Sequence, residues 1–227
     1  MTSAAANRVF AARVRSEAGV GPLEDLIRRA WQTGKGIDLS GIQYGKAIRD
    51  GKDVYVQSPS TYYPFLAGLV RETGATRIVE IGTNCAGSTR AMARGFVGGG
   101  HIVTVDISDD SDPFLAGYDN ITKMRGDANS IEVIEQVVAH CGSPEIDIVY
   151  IDAAHSCMPT LLNYCIYSTL LRPRFAVLDD ITLYETMLRM WRLVEFASGP
   201  DAIDAATVVP DIRPQKPSPG FGIVRLR

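Results

Sequence analysis

Short apolar runs alternate with longer segments whose apolar residues fall three and four positions apart, and this rhythm begins near residue 60. The short runs read as buried strands and the wider spacing as amphipathic helices. Ser60 to Thr73 is a helix with Leu66, Leu69 and Val70 on one face. A strand over Arg77 to Ile81 follows, then a helix over Ser88 to Phe96, a turn at Gly98-Gly99-Gly100, and a strand over His101 to Asp106. After a long loop, Ile107 to Asp119, come a short strand over Ile121 to Arg125 and a helix over Asn129 to Ala139. That helix turns Ile131, Ile134, Val137 and Val138 inward. Strands over Ile146 to Asp152 and Phe175 to Asp179 flank a helix over Pro159 to Leu171, and a helix over Thr182 to Ala197 follows. Two last strands, Ala206 to Val209 and Gly222 to Leu226, have no helical pattern between them. Strands alternating with helices give right-handed crossovers and a parallel sheet. The expectation is a doubly wound α/β sheet of seven strands, mostly parallel, closed at one edge by an antiparallel C-terminal hairpin.

Upstream the pattern is different. Asn7 to Ala18 and Pro22 to Trp31 read as short helices, with Pro22 at a favourable first helical position. Gly34, Gly36, Gly41, Gly45 and Gly51 then break the chain into loops that hold Tyr44 and Tyr55. Residues 1–57 are therefore a cover over a main domain of residues 58–227. The cover is either a lid or substrate wall, or a wrap that includes a contact between two copies in a homodimer or higher homo-oligomer.

Composition narrows the classes of function. Lys+Arg 23 against Asp+Glu 26 leaves a net charge of −3, with no basic face for a nucleic acid. No run approaches the ~18 apolar residues of a membrane span. The N-terminus lacks an apolar signal core, and its Ala/Arg-rich pattern fits an amphipathic helix better than a transit peptide. Cys85, Cys141, Cys157 and Cys165 form no CxxC pair and suit free thiols in a reducing cytoplasm.

The candidate chemistry clusters at the carboxyl ends of the strands, where open α/β sheets bind ligands. RIVEIGTNCAGS runs strand, Gly-containing loop, helix. Glu80 ends the strand, Gly82 permits a tight turn, and Ser88 opens the helix. Asp106 follows Gly82 by 24 residues, the range for an acid that accepts from ribose hydroxyls. Asp127, in RGDA, either accepts from an adenine amine or caps the next helix. GxGxxG is absent, which weakens a dinucleotide reading.

EIGTNCAGST resembles motif I of class I S-adenosylmethionine-dependent methyltransferases, HIVTVDIS their second motif, and RGDA their adenine-contacting segment. The resemblance implies a Rossmann-like fold, with Glu80, Gly82, Gly87 and Ser88 on the methionine side, Asp106 on the ribose, and Asp127 and Ala128 near the base. Asp152 is included in the same cofactor site. Relatives commonly read E-x-G-x-x-x-G-G-S, and Ala86 stands here at the first glycine of that pair.

Two further strand ends carry Asp152-Ala153-Ala154-His155 and Asp179-Asp180. Neighbouring strands lie ~4.8 Å apart, so acids at the same end of both can share an ion. Three such carboxylates suit Mg2+. His155 is three residues past Asp152 and is the candidate general base. His101 and His140 read as structural. Tyr62, Tyr63 and Tyr184 line an acceptor pocket or belong to core and rim.

IDAAHS…LDDI resembles the metal-dependent sugar O-methyltransferases of the macrocin and mycinamicin type, within the cephalosporin-hydroxylase-like group. There the corresponding acids hold Mg2+ and the histidine is the base, which implies Asp152, Asp179 and Asp180 as metal ligands and His155 as catalytic. The catechol and caffeoyl-CoA type usually has Lys in place of His155 and Asp-Asn in place of Asp179-Asp180. The implied activity is Mg2+-dependent methyl transfer from S-adenosylmethionine to a sugar hydroxyl. A phenol O-methyltransferase, a non-catalytic cofactor-binding protein, and a nucleotide-sugar or NAD enzyme are the alternatives.

Overall fold

The computed structural model describes residues 22–42, 45–49, 52–56, 60–142 and 145–227. Helix α1 (Leu23–Gly34) begins one residue after Pro22, which takes the N-cap position, and Glu24 and Asp25 in its first turn complement the helix dipole. The expected helix over Asn7 to Ala18, and Tyr44, lie outside the described residues. Where glycines predicted only loops, β1 (Gly45–Arg49) and β2 (Lys52–Val56) pair antiparallel. Val54, Tyr55 and Val56 are strand formers, and pairing overrides the nearby glycines.

From residue 60 the expected alternation appears. It runs α2 (Tyr63–Thr73), β3 (Arg77–Ile81), α3 (Gly87–Gly95), β4 (His101–Asp106), α4 (Asp112–Leu115) and β5 (Ile121–Arg125). It continues α5 (Ile131–Cys141), β6 (Ile148–Ile151), α6 (Cys157–Leu171), β7 (Phe175–Asp179), α7 (Glu185–Ser198), β8 (Ala202–Asp204), α8 (Ala205–Val208) and β9 (Phe221–Arg225). The seven strands lie in the order β5-β4-β3-β6-β7-β9-β8. The five from β5 to β7 are parallel, and β9 runs antiparallel to both β7 and β8. The chain winds outward from β3 to β5 and then returns to β6 on the other side of β3. That reversal opens a crevice at the carboxyl ends of β3 and β6.

Alternation along the strands sorts the core into two faces. Ile78, Ile102, Ile148 and Tyr150 pack under α1 and α2 with Leu26, Phe65 and Leu66. Val79, Ile81, Val103 and Val149 face Val133 and Val137 of α5 and Tyr167 of α6. Met190 and Trp191 of α7 cover Ala176, Leu178 and Val224. Helices α1 and α2 touch backbone to backbone: a Cβ on Gly68 would lie 1.8 Å from the Ala30 carbonyl oxygen, and one on Gly34 1.7 Å from that of Pro64.

Three expectations change. Ala205–Val208 is helix, because the Asp204 carboxylate caps it at the Ala206 N–H (3.0 Å) and alanine favours helix; the strand is the preceding Ala202–Asp204. Helix α5 is capped by Ser130, which accepts from the Val133 N–H. Its inward stripe is Val133 and Val137, while Ile131 is 70% exposed and Val138 also lies at the surface. The long loop after β4 contains the short α4. Among the described residues no helix is long and apolar enough to cross a membrane.

Candidate active site

The loop after β3 is held by its backbone. Gly82 has φ +98° and donates its N–H to the Val105 carbonyl at 2.8 Å. A Cβ there would lie 2.1 Å from the Asp152 carbonyl oxygen, so the close approach of β3 and β6 ends requires glycine. Asp106, at the end of β4, clamps the same loop. Its Oδ2 accepts from the N–H groups of Thr83 and Asn84, each at 2.8 Å, and its Oδ1 from Ser108 at 2.8 Å. The adjacent β5 end is tied in by the Gly126 N–H, which donates to the Asp106 carbonyl.

Glu80 is fully buried beneath this loop. Its Oε1 accepts from Ser88 at 2.5 Å, and its Oε2 from Thr104 at 2.6 Å and from Thr89. Register explains the Thr104 contact, since Glu80 and Thr104 are paired positions of β3 and β4. Burial raises the Glu80 carboxyl to a pKa of about 7, and the three hydroxyls pull it partly back. Glu80 thus binds the N-terminus of α3 to the sheet.

The second half of the site lies at the ends of β6 and β7. The Asp152 N–H donates to Ile81 at 2.8 Å, which ties this end to β3. His155, at φ +33°, turns back so that its Nε2 lies 3.1 Å from Asp152 Oδ1 and 3.4 Å from Asp180 Oδ2. The hydrogen bond to Asp152 and the charges of Asp152 and Asp180 raise the His155 pKa above its ordinary value, against the opposing effect of burial. The Tyr150 hydroxyl lies 3.0 Å from Asp152 Oδ2 and 3.2 Å from Asp179 Oδ2, so its proton bridges the two carboxylates. Asp180, at φ +54°, has a pKa raised to about 6 by burial and by Asp152, with His155 acting the other way.

Both halves open into one cavity of about 190 Å³, lined by Tyr62, Tyr63, Gly82, Thr83, Asn84, Gly87, Ser88, Asp152, His155, Asp179, Asp180 and Arg213. A larger cleft of about 260 Å³, around His101, His140 and Cys141, lies at the amino ends of the strands, away from the ligand edge of such sheets. Of the sequence-predicted residues, Glu80 lies behind the cavity wall. Asp127 is exposed at the neighbouring β5 end and accepts from the Asn129 N–H at 2.9 Å. It does not cap α5, whose cap is Ser130. Buried Ala128 accepts from the Tyr167 hydroxyl at 2.9 Å through its carbonyl. Tyr184 is 56% exposed at the start of α7.

A family model described as O-methyltransferase matches residues 54–188, more than half of the chain. The chain belongs to the O-methyltransferase family. A search of curated proteins found no match. Among solved structures the chain is similar to the O-methyltransferase from Bacillus cereus in complex with SAH, at 18% identity and a TM-score of 0.58, over 98% of this chain and 97% of that one. It is also similar to the O-methyltransferase TomG from Streptomyces achromogenes, involved in tomaymycin synthesis and solved with SAM: 19% identity, TM-score 0.57, over 98% and 96%. These likenesses bear out the expected methyltransferase fold.

The Mg2+ expectation meets a different arrangement. The Arg213 guanidinium, 6% exposed, is seated against the acid pair, its Nη2 bonded to Asp179 Oδ1 and 3.2 Å from Asp180 Oδ1. Asp179 Oδ1 also accepts from the Asp180 N–H at 2.8 Å. Tyr150 donates to Asp152 Oδ2 and Asp179 Oδ2, and His155 Nε2 lies against Asp152 Oδ1, so most of the carboxylate oxygens turned to this spot already have a donor. Among the described residues no three His, Cys, Asp or Glu side chains are arranged as a metal-binding group. The three acids converge as expected, and in this arrangement the Arg213 guanidinium stands against Asp179 and Asp180, where the expectation placed an ion.

Sequence reasoning missed Arg213, Tyr150, Thr89 and Thr104. The strand period of two was signal enough for Tyr150, which shares a face with Asp152. Arg213 lies in the loop between Pro210 and Pro219, and no spacing rule tells where such a loop returns.

Proposed function

We propose that this O-methyltransferase moves a methyl group from S-adenosylmethionine to a hydroxyl of a small molecule, with His155 as the proton acceptor. One observation carries the reading: the motif I loop and the His155–Asp152 pair line the same cavity. Gly82, Gly87 and Ser88 hold the methionine side of the donor, and the Asp106, Asp127 and Ala128 edge holds its nucleoside. When bound, S-adenosylmethionine supplies an electrophilic methyl on a sulfonium; the acceptor oxygen gains that methyl, and the C–S electron pair stays on sulfur as S-adenosylhomocysteine. With Asp152 accepting the proton of Nε2, the basic nitrogen of the His155 ring is Nδ1, which takes the acceptor's proton in this reading. The buried Tyr62 and Tyr63 shield this end of the cavity from water.

A sugar acceptor with Mg2+ is the finer reading, supported by Asp152, Asp179 and Asp180 meeting at one place. The seating of Arg213 speaks against its metal.

Thermal shift with S-adenosylhomocysteine and with NAD, followed by acceptor panels of phenols and sugars, tests the proposal. Stabilisation by S-adenosylhomocysteine alone is expected. His155→Ala should lower kcat by ~10²–10⁴-fold and leave donor binding near normal. Stabilisation by NAD and not by S-adenosylhomocysteine would overturn it.

A further inference from the structure

Arg213 occupies the place that the acid pattern reserves for a cation. Its guanidinium lies 4.1 Å over the Tyr62 ring and 5.6 Å from that of Phe221, so two aromatic faces as well as two carboxylates fix it. It lines the cavity beside His155. Its Nε–H is buried and has no hydrogen-bond partner, which leaves one donor of its fork uncommitted. A buried donor without a partner is uncommon in a finished site. Mg2+ demands near-octahedral oxygen ligands and gives up water reluctantly. Here one oxygen each of Asp179 and Asp180 is held by a charge that belongs to the chain itself.

We propose that Arg213 is the resident cation of this active site, so that methyl transfer proceeds without a divalent metal. The proposal rests on the O-methyl transfer reading and specifies its electrostatics. Once His155 has taken the acceptor's proton, the guanidinium supplies the positive charge beside the oxyanion. Chelation by two neighbouring oxygens is then no longer required of the acceptor. An acidic hydroxyl suits this arrangement, and a phenol, with a pKa of ~10, is within reach of an imidazole base.

The test uses the full chain stripped with EDTA. Titration with Mn2+, followed by the free-ion EPR signal, should show no uptake by the wild type. Arg213→Gln should gain Mn2+ uptake as the acid pair is freed, and Asp180→Asn in that background should abolish the gain. Should Arg213→Gln fail to fold, Arg213→Lys keeps a cation and should, like the wild type, take up no Mn2+. Methyl transfer to phenols should be equal in EDTA and in Mg2+, and Arg213→Lys should lower kcat while leaving the KM for S-adenosylmethionine unchanged. Wild-type Mn2+ uptake that Asp180→Asn removes, or activity lost in EDTA and restored by Mg2+, overturns the proposal. Absence of turnover on every acceptor would count against the methyl-transfer reading instead, and the Mn2+ titration would still decide the role of Arg213.

Discussion

Asp106 accepts the backbone N–H of Asn84 on its Oδ2 at 2.8 Å. The same oxygen takes the N–H of Thr83, so the acid expected to meet a ribose also fastens the motif I loop to β4. Hydrogen bonds to a charged group contribute about 1.5–3 kcal/mol each, and Asp106 accepts three from backbone. Asp106→Asn should therefore lower stability by roughly 1–3 kcal/mol without any ligand, and also weaken S-adenosylhomocysteine binding. Urea unfolding of the ligand-free protein checks this. An unchanged midpoint would mean that Asp106 serves the ligand alone.

Glu80 makes stability fall as pH rises. Its folded pKa of about 7 lies above the ordinary 4.5, because burial penalises the charged form. Its favourable contribution is complete below pH 4.5 and is lost as pH climbs through 7. A shift of this size corresponds to about 3 kcal/mol. Glu80→Gln should flatten that part of the stability curve between pH 4.5 and 7.5. Urea midpoints of both proteins across that range test it, and parallel curves would refute the assignment.

The bounds of β3, β4 and β7 were legible to the residue, because each is a short, mainly apolar run bounded by a turn or a polar residue, and those of β5, an Ile-Thr-Lys-Met-Arg alternation, from its period of two. The meeting of Asp152, His155, Asp179 and Asp180 was legible too, since neighbouring parallel strands bring their carboxyl ends together. What escaped depends on three-dimensional return paths. Arg213 is far from β7 in the chain and reaches it only because β9 inserts beside β7. Asp106's hold on Thr83 and Asn84 escaped because backbone donors leave no mark in sequence. Ala206 to Val209 reads as a strand but falls on the helix Ala205–Val208 and the residue after it, because a short apolar run cannot by itself tell strand from helix.

Gly68 sets the spacing of α1 against α2. A methyl there would meet the Ala30 carbonyl oxygen at 1.8 Å, a backbone atom that moves only with its helix. Gly68→Ala should cost about 3 kcal/mol, or roughly 6–12 °C in Tm. Gly36→Ala is the control, because its nearest contact, the Thr33 carbonyl at 3.5 Å, is ordinary. Its effect should stay within ~0.5 kcal/mol, and calorimetry of the two variants gives the comparison.

Ala86 departs from the glycine usual at its position, and the structure shows what the departure costs. It sits at φ +57° as the N-cap of α3, in the left-handed region where a Cβ is disfavoured by about 1–2 kcal/mol. Its methyl is fully buried, which returns about 0.8 kcal/mol. Alanine also restricts the unfolded chain relative to glycine, worth about 0.4–1 kcal/mol. These terms nearly cancel, so Ala86→Gly should change stability by less than ~1 kcal/mol and leave S-adenosylhomocysteine binding intact. Ala86→Val adds a β-branch at a left-handed position with no space around it. It should cost ~2 kcal/mol or more and weaken donor binding, because the loop that carries Gly87 and Ser88 would have to shift. Melting curves and S-adenosylhomocysteine titrations of the two variants separate the outcomes. Tighter donor binding in Ala86→Gly would show that the methyl does crowd the loop.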